Sequence, residues 1–254
     1  MSSVTIHNTK INYEVYGKGK PMIFVHGWGG SITSLRKLGK ALSEHRKVYL
    51  IDLPGFGKSD NPDPSWGVPE YAMVIQAFLE DLKIKKPVYF GHSFGGSLGI
   101  YLAARQPQLF QKLILCSSSY KRTAKQSRTA KRMNLLVQNY LPFLVSTLDR
   151  VKPVLYKIFF PHSDYAKYPH LIPNFRKIIT DDLSAYPEQI SLPTLLLWGE
   201  RDTYTPLALA EELDEKINRS KLIVYPYKKH NLPIRYVKDI YPDIYSFITG
   251  RLRV

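Results

Sequence analysis

Six compact apolar runs alternate with helical patterns along this chain, and this alternation restricts the possible fold more than any other feature. The runs are PMIFVHG, KVYLIDL, PVYFGHS, KLILCSSS, TLLLWGE and KLIVYPY. They are too continuous for strands with one exposed face and suit strands that are covered on both faces. The segments between them, such as SLRKLGKALSEH, EYAMVIQAFLEDL and PLALAEELDEKI, carry apolar residues at the three- and four-residue spacing of helices. The order predicts an α/β protein with a parallel sheet.

Two departures from the alternation define the organisation of the chain. The segment VTIHNTKINYEVYG breaks at Asn8 and Thr9 between alternating apolar residues, which predicts an N-terminal hairpin. The alternation stops between about residues 120 and 180, and we interpret this stretch as an insertion. A length of 254 residues suits one core domain, residues 1–119 and 181–254, that carries such an insertion.

Most of the positive charge lies in the insertion. The formal net charge is +15, and the insertion holds 12 Lys and Arg against only Asp149 and Asp164. Six of these cations fall between Lys121 and Arg132, next to the apolar segment LPFLVSTLDRVKPVLYKIFF. A solvated helix face is the ordinary explanation. Weak association with an anionic membrane surface and steering of an acidic substrate stay open, whereas no nucleic-acid partner is expected because no recognised binding module accompanies the charge.

The single cysteine and the N-terminus indicate the compartment. Cys116 lies inside KLILC, so no intramolecular disulfide can form and we expect a buried, inert thiol in a reducing compartment. The segment MSSVTIHNTK lacks the basic start and apolar stretch of a signal peptide, and no apolar run approaches the roughly 18 residues of a membrane span. We therefore expect a cytoplasmic protein.

The segment DLPGFGKSD raises the possibility of a phosphate-binding loop. A loop of the form GxxxxGK[ST] would place its first glycine at Asp52, whose carboxylate would repel phosphate. No helix follows Ser59, because DNPDPSWGVP is rich in turn residues. We expect a tight turn after a strand, with no role for Lys58 in nucleotide binding.

The segment VYFGHSFGGSLGIYLAA carries the clearest chemical signal. Gly91 to Gly95 form GxSxG between a predicted strand and a predicted helix, which is the context of a nucleophile elbow. A chance cluster of small residues in an ordinary turn is the alternative. Because a serine nucleophile needs a base and the base needs a carboxylate, the elbow makes Ser93 a candidate nucleophile whose partners should follow later strands.

Asp202 and His230 are the candidate partners of Ser93. Asp202 follows the strand in LLLWGERDTYTP and His230 follows the last strand in IVYPYKKHNLP, so the chain order is Ser, Asp, His. Glu200 is the rival acid, but it lies nearer the strand end. Taken alone, Asp202 could be a turn or cap residue and His230 a surface histidine. The other histidines lie in peripheral elements, in the elbow, before a glycine-rich loop or in the insertion: His7, His26, His45, His92, His162 and His170.

An oxyanion hole requires two further backbone donors. The first is the N–H after the nucleophile, on Phe94, and the second comes from the loop after an early strand, FVHGWGG, where Trp28 is our candidate. The glycines around Trp28 allow a tight turn. A plain glycine-rich turn is the alternative reading of this loop.

Together these motifs resemble the α/β-hydrolase family, in particular its capped, esterase-like, single-domain members. HGWGG, DLPGFGKSD, GHSFGG, WGERD and His230 occur in that family's order over nearly the whole chain. The resemblance implies a mostly parallel eight-stranded sheet with helices on both faces and a helical lid, residues 120–180, inserted after the sixth strand. One departure is that Lys228 and Lys229 stand before His230, where the family commonly has glycine.

The resemblance also implies a chemistry. Ser93 would attack a carbonyl carbon, His230 would transfer the proton, Asp202 would orient His230, and the Trp28 and Phe94 N–H groups would bind the oxyanion. A small or medium ester with an apolar or aromatic part is the expected substrate, and no cofactor and no metal are expected. A thioesterase, lactonase, acyltransferase or carbon–carbon bond hydrolase stays open, as do a non-catalytic ligand sensor and the oligomeric state.

Overall fold

The structure, a computed structural model, describes residues 2–121 and 167–254. Within these ranges the strands form one eight-stranded sheet in the order β1-β2-β4-β3-β5-β6-β7-β8. The strands are β1 (Ser2–Ile6), β2 (Thr9–Tyr16), β3 (Pro21–Val25), β4 (Lys47–Ile51), β5 (Val88–His92), β6 (Lys112–Cys116), β7 (Thr194–Gly199) and β8 (Ser220–Tyr225). Only β2 runs against the direction of the others, so the predicted, mostly parallel sheet is confirmed.

Helices cover both faces of the sheet, as predicted. In the described ranges they are α1 (Ile32–Leu42), α2 (Val68–Asp81), α3 (Phe94–Arg105), α4 (Ile172–Ile178), α5 (Leu207–Lys216), α6 (Leu232–Arg235) and α7 (Val237–Thr249). Buried residues of α2, α3 and α5 share one apolar core, and those of α1, α6 and α7 share a second core on the opposite face.

The two cores explain why the strand sequences are continuously apolar. In β3, Ile23 and Val25 enter the first core, while Met22 and Phe24 enter the second. Because side chains alternate between the two faces of a strand, a strand buried on both sides favours apolar residues at successive positions. Cys116 lies at the end of β6 with 0% of its surface exposed, and burial raises the pKa of its thiol well above the ordinary value, as expected for an inert cysteine.

The N-terminal hairpin turns one residue earlier than predicted. His7 and Asn8 occupy the turn with positive φ angles of 47° and 62°, whereas Thr9 already pairs with Ile6 in the ladder. A two-residue turn with both central φ angles positive matches the twist of the flanking strands, and Asn tolerates that conformation well. The predicted break at Asn8 and Thr9 is therefore wrong by one position.

Most of the predicted insertion, including all but the first cation of the basic segment, lies outside the described residues. The chain re-enters the described part at residue 167 and is anchored to the loop before α2. The Asn174 side-chain amide donates to the Asp63 carbonyl at 2.7 Å, and Asp181 accepts from the Val68 N–H at 2.8 Å, which caps α2. No helix in the described ranges is both long and apolar enough to cross a membrane.

Candidate active site

Ser93 sits at a strained strand-to-helix turn. It lies between the last residue of β5 and the first residue of α3, with φ 51° and ψ −114°. Few non-glycine residues adopt such a conformation, and it costs about 1–3 kcal/mol, so the surrounding structure must impose it. Helix α3 is pressed against β3 here, because a Cβ atom on Gly95 would lie 2.2 Å from the Val25 carbonyl oxygen. The sequence GxSxG thus forms the predicted sharp turn.

Asp202 and His230 come together although 28 residues separate them. The His230 Nδ1 atom lies 2.8 Å from Asp202 Oδ2, and the Asp202 carboxylate is fully shielded from solvent. Glu200, the rival acid, instead accepts a hydrogen bond from the Tyr227 N–H at 2.8 Å. The structure therefore pairs His230 with Asp202. This geometry fixes the Nδ1–H tautomer of a neutral His230 and leaves Nε2 as the acceptor.

The Asp202 carboxylate is held ionised by its hydrogen bonds. Burial raises its pKa, but the bonds from His230 and Thr205 outweigh burial and lower the pKa below the ordinary value. Thr205 contributes both its N–H, at 2.9 Å from Oδ1, and its hydroxyl, at 2.8 Å from Oδ2. Sequence reasoning missed Thr205, although a hydroxyl three residues after a candidate carboxylate in a turn was a usable signal.

The glycine-rich turn, residues 26–30, lies directly against the elbow. A Cβ atom on Gly27 would be 2.9 Å from the Ser93 Cβ, so only glycine allows this approach. His26 ties the turn to the chain after β4, because its Nε2 accepts from the Leu53 N–H at 3.0 Å while Nδ1 donates to the Gly27 carbonyl at 2.8 Å. Burial lowers the pKa of His26, which keeps it neutral in this role.

Of the two candidate oxyanion donors, Phe94 follows the nucleophile in the chain, and Trp28 follows Gly27, which lies against Ser93. Within the described part of the chain, no residue accepts a hydrogen bond from the Trp28 or Phe94 backbone N–H. The Phe94 N–H is also the first of α3, where the helix dipole favours negative charge. Both N–H groups thus stay candidates for the oxyanion hole.

Aromatic rings cluster between the glycine-rich turn and the start of α3. The Trp28 ring packs at centroid distances of 4.9 Å from Phe56, 5.8 Å from Phe94 and 5.1 Å from Phe175. The Tyr168 ring packs on Phe56, and its hydroxyl donates to the carbonyl oxygen of Gly29 in the glycine-rich turn at 3.1 Å. These five rings form one apolar cluster, which includes Phe94, the residue after Ser93.

The segment DLPGFGKSD has a structural role in this arrangement. The Asp52 carboxylate accepts from the Ile32 N–H at 2.7 Å, from the Asn12 side chain at 2.8 Å and from the Lys58 N–H at 3.0 Å. It thereby caps α1 and closes the loop on itself. The Lys58 N–H donates to this carboxylate, and the N–H groups of Gly55, Phe56 and Ser59 donate to backbone carbonyls, so none of these four is left for a phosphate. In the described ranges, no three His, Cys, Asp or Glu residues are grouped so that they could hold a metal ion.

Comparison with known proteins agrees with this geometry. Residues 20–156 match the family described as the alpha/beta hydrolase fold. The chain is 24% identical to the uncharacterized hydrolase YugF of Bacillus subtilis over 96% of both chains. It is 23% identical to a pimeloyl-[acyl-carrier protein] methyl ester esterase of Vibrio campbellii, over 88% of this chain and 92% of that one. The enol-lactonase from Burkholderia xenovorans LB400 superposes with a TM-score of 0.78 at 20% identity, over 98% of this chain and 100% of the other. Since the family match covers more than half of the sequence, the chain belongs to the alpha/beta hydrolase fold family.

Proposed function

We propose that this hydrolase cleaves carboxylic esters through an acyl-enzyme intermediate on Ser93. The observation that carries the proposal is the 2.8 Å contact of His230 with a buried Asp202, together with the strained turn that presents Ser93. An unstrained turn could also connect β5 to α3, so the strain at Ser93 indicates a functional role for this residue. A buried aspartate joined to a partly exposed histidine is the arrangement that a general base requires.

In the proposed reaction, His230 Nε2 removes the Ser93 proton as Oγ attacks the ester carbon. The negative charge that develops on the carbonyl oxygen is bound by the Trp28 and Phe94 N–H groups. His230 then protonates the departing alcohol and afterwards activates a water molecule that releases the acid from Ser93. Asp202 stays ionised throughout and stabilises the positive charge on His230.

The aromatic cluster supports a small or medium substrate with an apolar or aromatic part. The names of the related proteins are compatible with ester chemistry, because one relative is a methyl ester esterase and one structural neighbour is an enol-lactonase. Lactone hydrolysis is the second candidate, since it breaks the same type of bond. Thioester hydrolysis, acyl transfer and carbon–carbon bond cleavage use the same residues and are distinguished by substrate competition.

The proposal is tested by activity-based labelling followed by turnover. A fluorophosphonate should label the wild-type protein, and nitrophenyl esters of increasing acyl length should be hydrolysed. Ser93→Ala should lose the label and at least about 10³-fold in kcat, whereas Ser3→Ala, a control in exposed β1, should keep both. Labelling or turnover that survives in Ser93→Ala would remove Ser93 from the role of nucleophile.

Three further parts of the hypothesis belong to the same proposal. The domain division into a core of residues 1–119 and 181–254 and a lid of residues 120–180 stays a prediction. So do a cytoplasmic location and a weak association of the basic segment with anionic membranes. Binding of the protein to phosphatidylserine vesicles at low and high salt would test the last of these.

A further inference from the structure

His92, the residue before the nucleophile, makes a contact that the proposed mechanism does not use. It is the last residue of β5, and only 5% of its surface is exposed. Its Nε2 atom lies 3.0 Å from the backbone carbonyl oxygen of His230. A carbonyl oxygen can only accept a hydrogen bond, so the His92 proton is on Nε2. The two imidazole rings lie side by side, with centroids 5.0 Å apart.

His92 is neutral in this position. Burial is the main cause, and together with the nearby His230 it lowers the pKa of His92 to about 3. The other titratable groups around it are Asp202, which favours the charged form, and His26, which opposes it. A neutral His92 can donate to the carbonyl without adding a second positive charge when His230 becomes protonated during catalysis.

The base loop, residues 226–231, is held from two sides. Arg201 donates its N–H to the Lys228 carbonyl at 2.8 Å, and Glu200 accepts from the Tyr227 N–H. Both of these contacts join the base loop to the chain after β7, which also carries Asp202. The His92 bond is different, because it joins the carbonyl of His230 itself to β5, the strand that leads to Ser93.

We propose that His92 is a positioning residue that sets the placement of the His230 imidazole relative to Ser93. The contact with Asp202 fixes which nitrogen of His230 is protonated. The contact with His92 fixes the position of the His230 backbone relative to the end of β5. This inference rests on the proposed function, since it assigns His92 a role only if His230 serves Ser93. Misplacement of a base by about 1 Å costs on the order of 100-fold in rate, so one such bond is sufficient to matter.

The test compares two replacements of His92 in the full-length protein. His92→Gln keeps an N–H donor near the position of Nε2, whereas His92→Leu has similar volume and no donor. His92→Leu is expected to lower kcat about 10- to 100-fold with KM changed less than about threefold, and His92→Gln to retain kcat within about threefold. Tyr225→Phe is the matched control, because it removes a 2.6 Å hydrogen bond to Asp243 at the end of β8 without touching the His230 carbonyl.

The possible outcomes separate this inference from the proposed function. If the fluorophosphonate does not label the wild-type protein, the proposed function is wrong, and the role of His92 that rests on it is wrong as well. If the wild type is labelled and turns over ester while a folded His92→Leu variant keeps the wild-type kcat, the positioning role is wrong. Equal losses in His92→Leu and Tyr225→Phe would also overturn it, because a general loss of stability would then account for both.

A measurement on the wild type covers the case in which His92→Leu does not fold. In protein labelled with ¹⁵N-histidine, His92 should give the signals of a neutral ring protonated at Nε2, with a slowly exchanging ring N–H, from pH 5 to 8. A neutral His92 ring that is protonated at Nδ1 and not at Nε2 would exclude the hydrogen bond to His230 and with it the proposal.

Discussion

Mild acid should destabilise this protein measurably through His92. The residue has a pKa of about 3 in the folded chain and an ordinary value of 6.5 when unfolded. Between these values the unfolded state binds more protons than the folded state, so the free energy of unfolding falls as the pH is lowered through this window. Lowering the pH from 7.5 to 5.0 should remove about 2 kcal/mol through His92 alone, since each pKa unit corresponds to about 1.4 kcal/mol.

The assay is urea denaturation followed by tryptophan fluorescence at both pH values. The wild type alone does not isolate His92, because burial also lowers the pKa of His26 and because Asp202 loses its stabilising charge in more acid solution. His92→Gln supplies the comparison, since glutamine fills similar space and does not titrate. The wild type should lose about 2 kcal/mol more than this variant between pH 7.5 and 5.0. A difference below about 0.5 kcal/mol would refute a buried, neutral His92.

Three further predictions follow from the site and its surroundings. Asp202→Asn should lower kcat by about 10³- to 10⁴-fold in ester hydrolysis, because His230 would adopt the wrong tautomer. Glu200→Gln should keep kcat within about threefold of the wild type. Equal losses of kcat in the two variants would contradict the assignment of Asp202 as the partner of His230. Lys58→Ala should keep kcat/KM within about threefold of the wild type. Titration calorimetry of the wild type with ATP should show no binding in the micromolar range, and a saturable signal would support a phosphate-binding role for the segment DLPGFGKSD. Gly95→Ala should cost about 3 kcal/mol or more in thermal or urea unfolding, because its Cβ atom would lie 2.2 Å from the Val25 carbonyl; near-native stability would show that β3 and α3 can separate at low cost.

The fold could be predicted from the sequence because burial of the sheet on both faces produces strands with continuously apolar sequences. Strand β3 is apolar at every position because each face of the sheet meets a different core. The exact ends of the strands could not be predicted in the same way, because they depend on backbone conformation. The turn at His7 and Asn8 was placed one residue late, because local polarity does not show which residues carry positive φ angles.

The candidate site was predictable where its residues follow strands and hidden where they act through other residues. Ser93, Asp202 and His230 each come after a strand whose end lies at the same edge of a parallel sheet, so their order along the chain indicated the site. His92 was missed as a contributor because its role depends on one hydrogen bond across 138 residues. Thr205 was missed although it lies three residues after Asp202, to whose carboxylate it donates two hydrogen bonds. No spacing rule encodes a contact between the residue before a nucleophile and the carbonyl of a distant base.

The position of β8 at the edge of the sheet has a consequence for how the protein loses activity. Among the described strands β8 pairs only with β7, whereas β5, which leads to Ser93, has a partner on either side. Edge elements open with less free energy than central ones. Gentle heating or dilute denaturant should therefore separate β8 and the following loop with His230 from the sheet before the other strands unfold. The protein would then lack its proposed base while most of its fold remained. Under the proposed mechanism, Ser93 in a nascent chain would also stay inactive until β8 and the loop with His230 have been made.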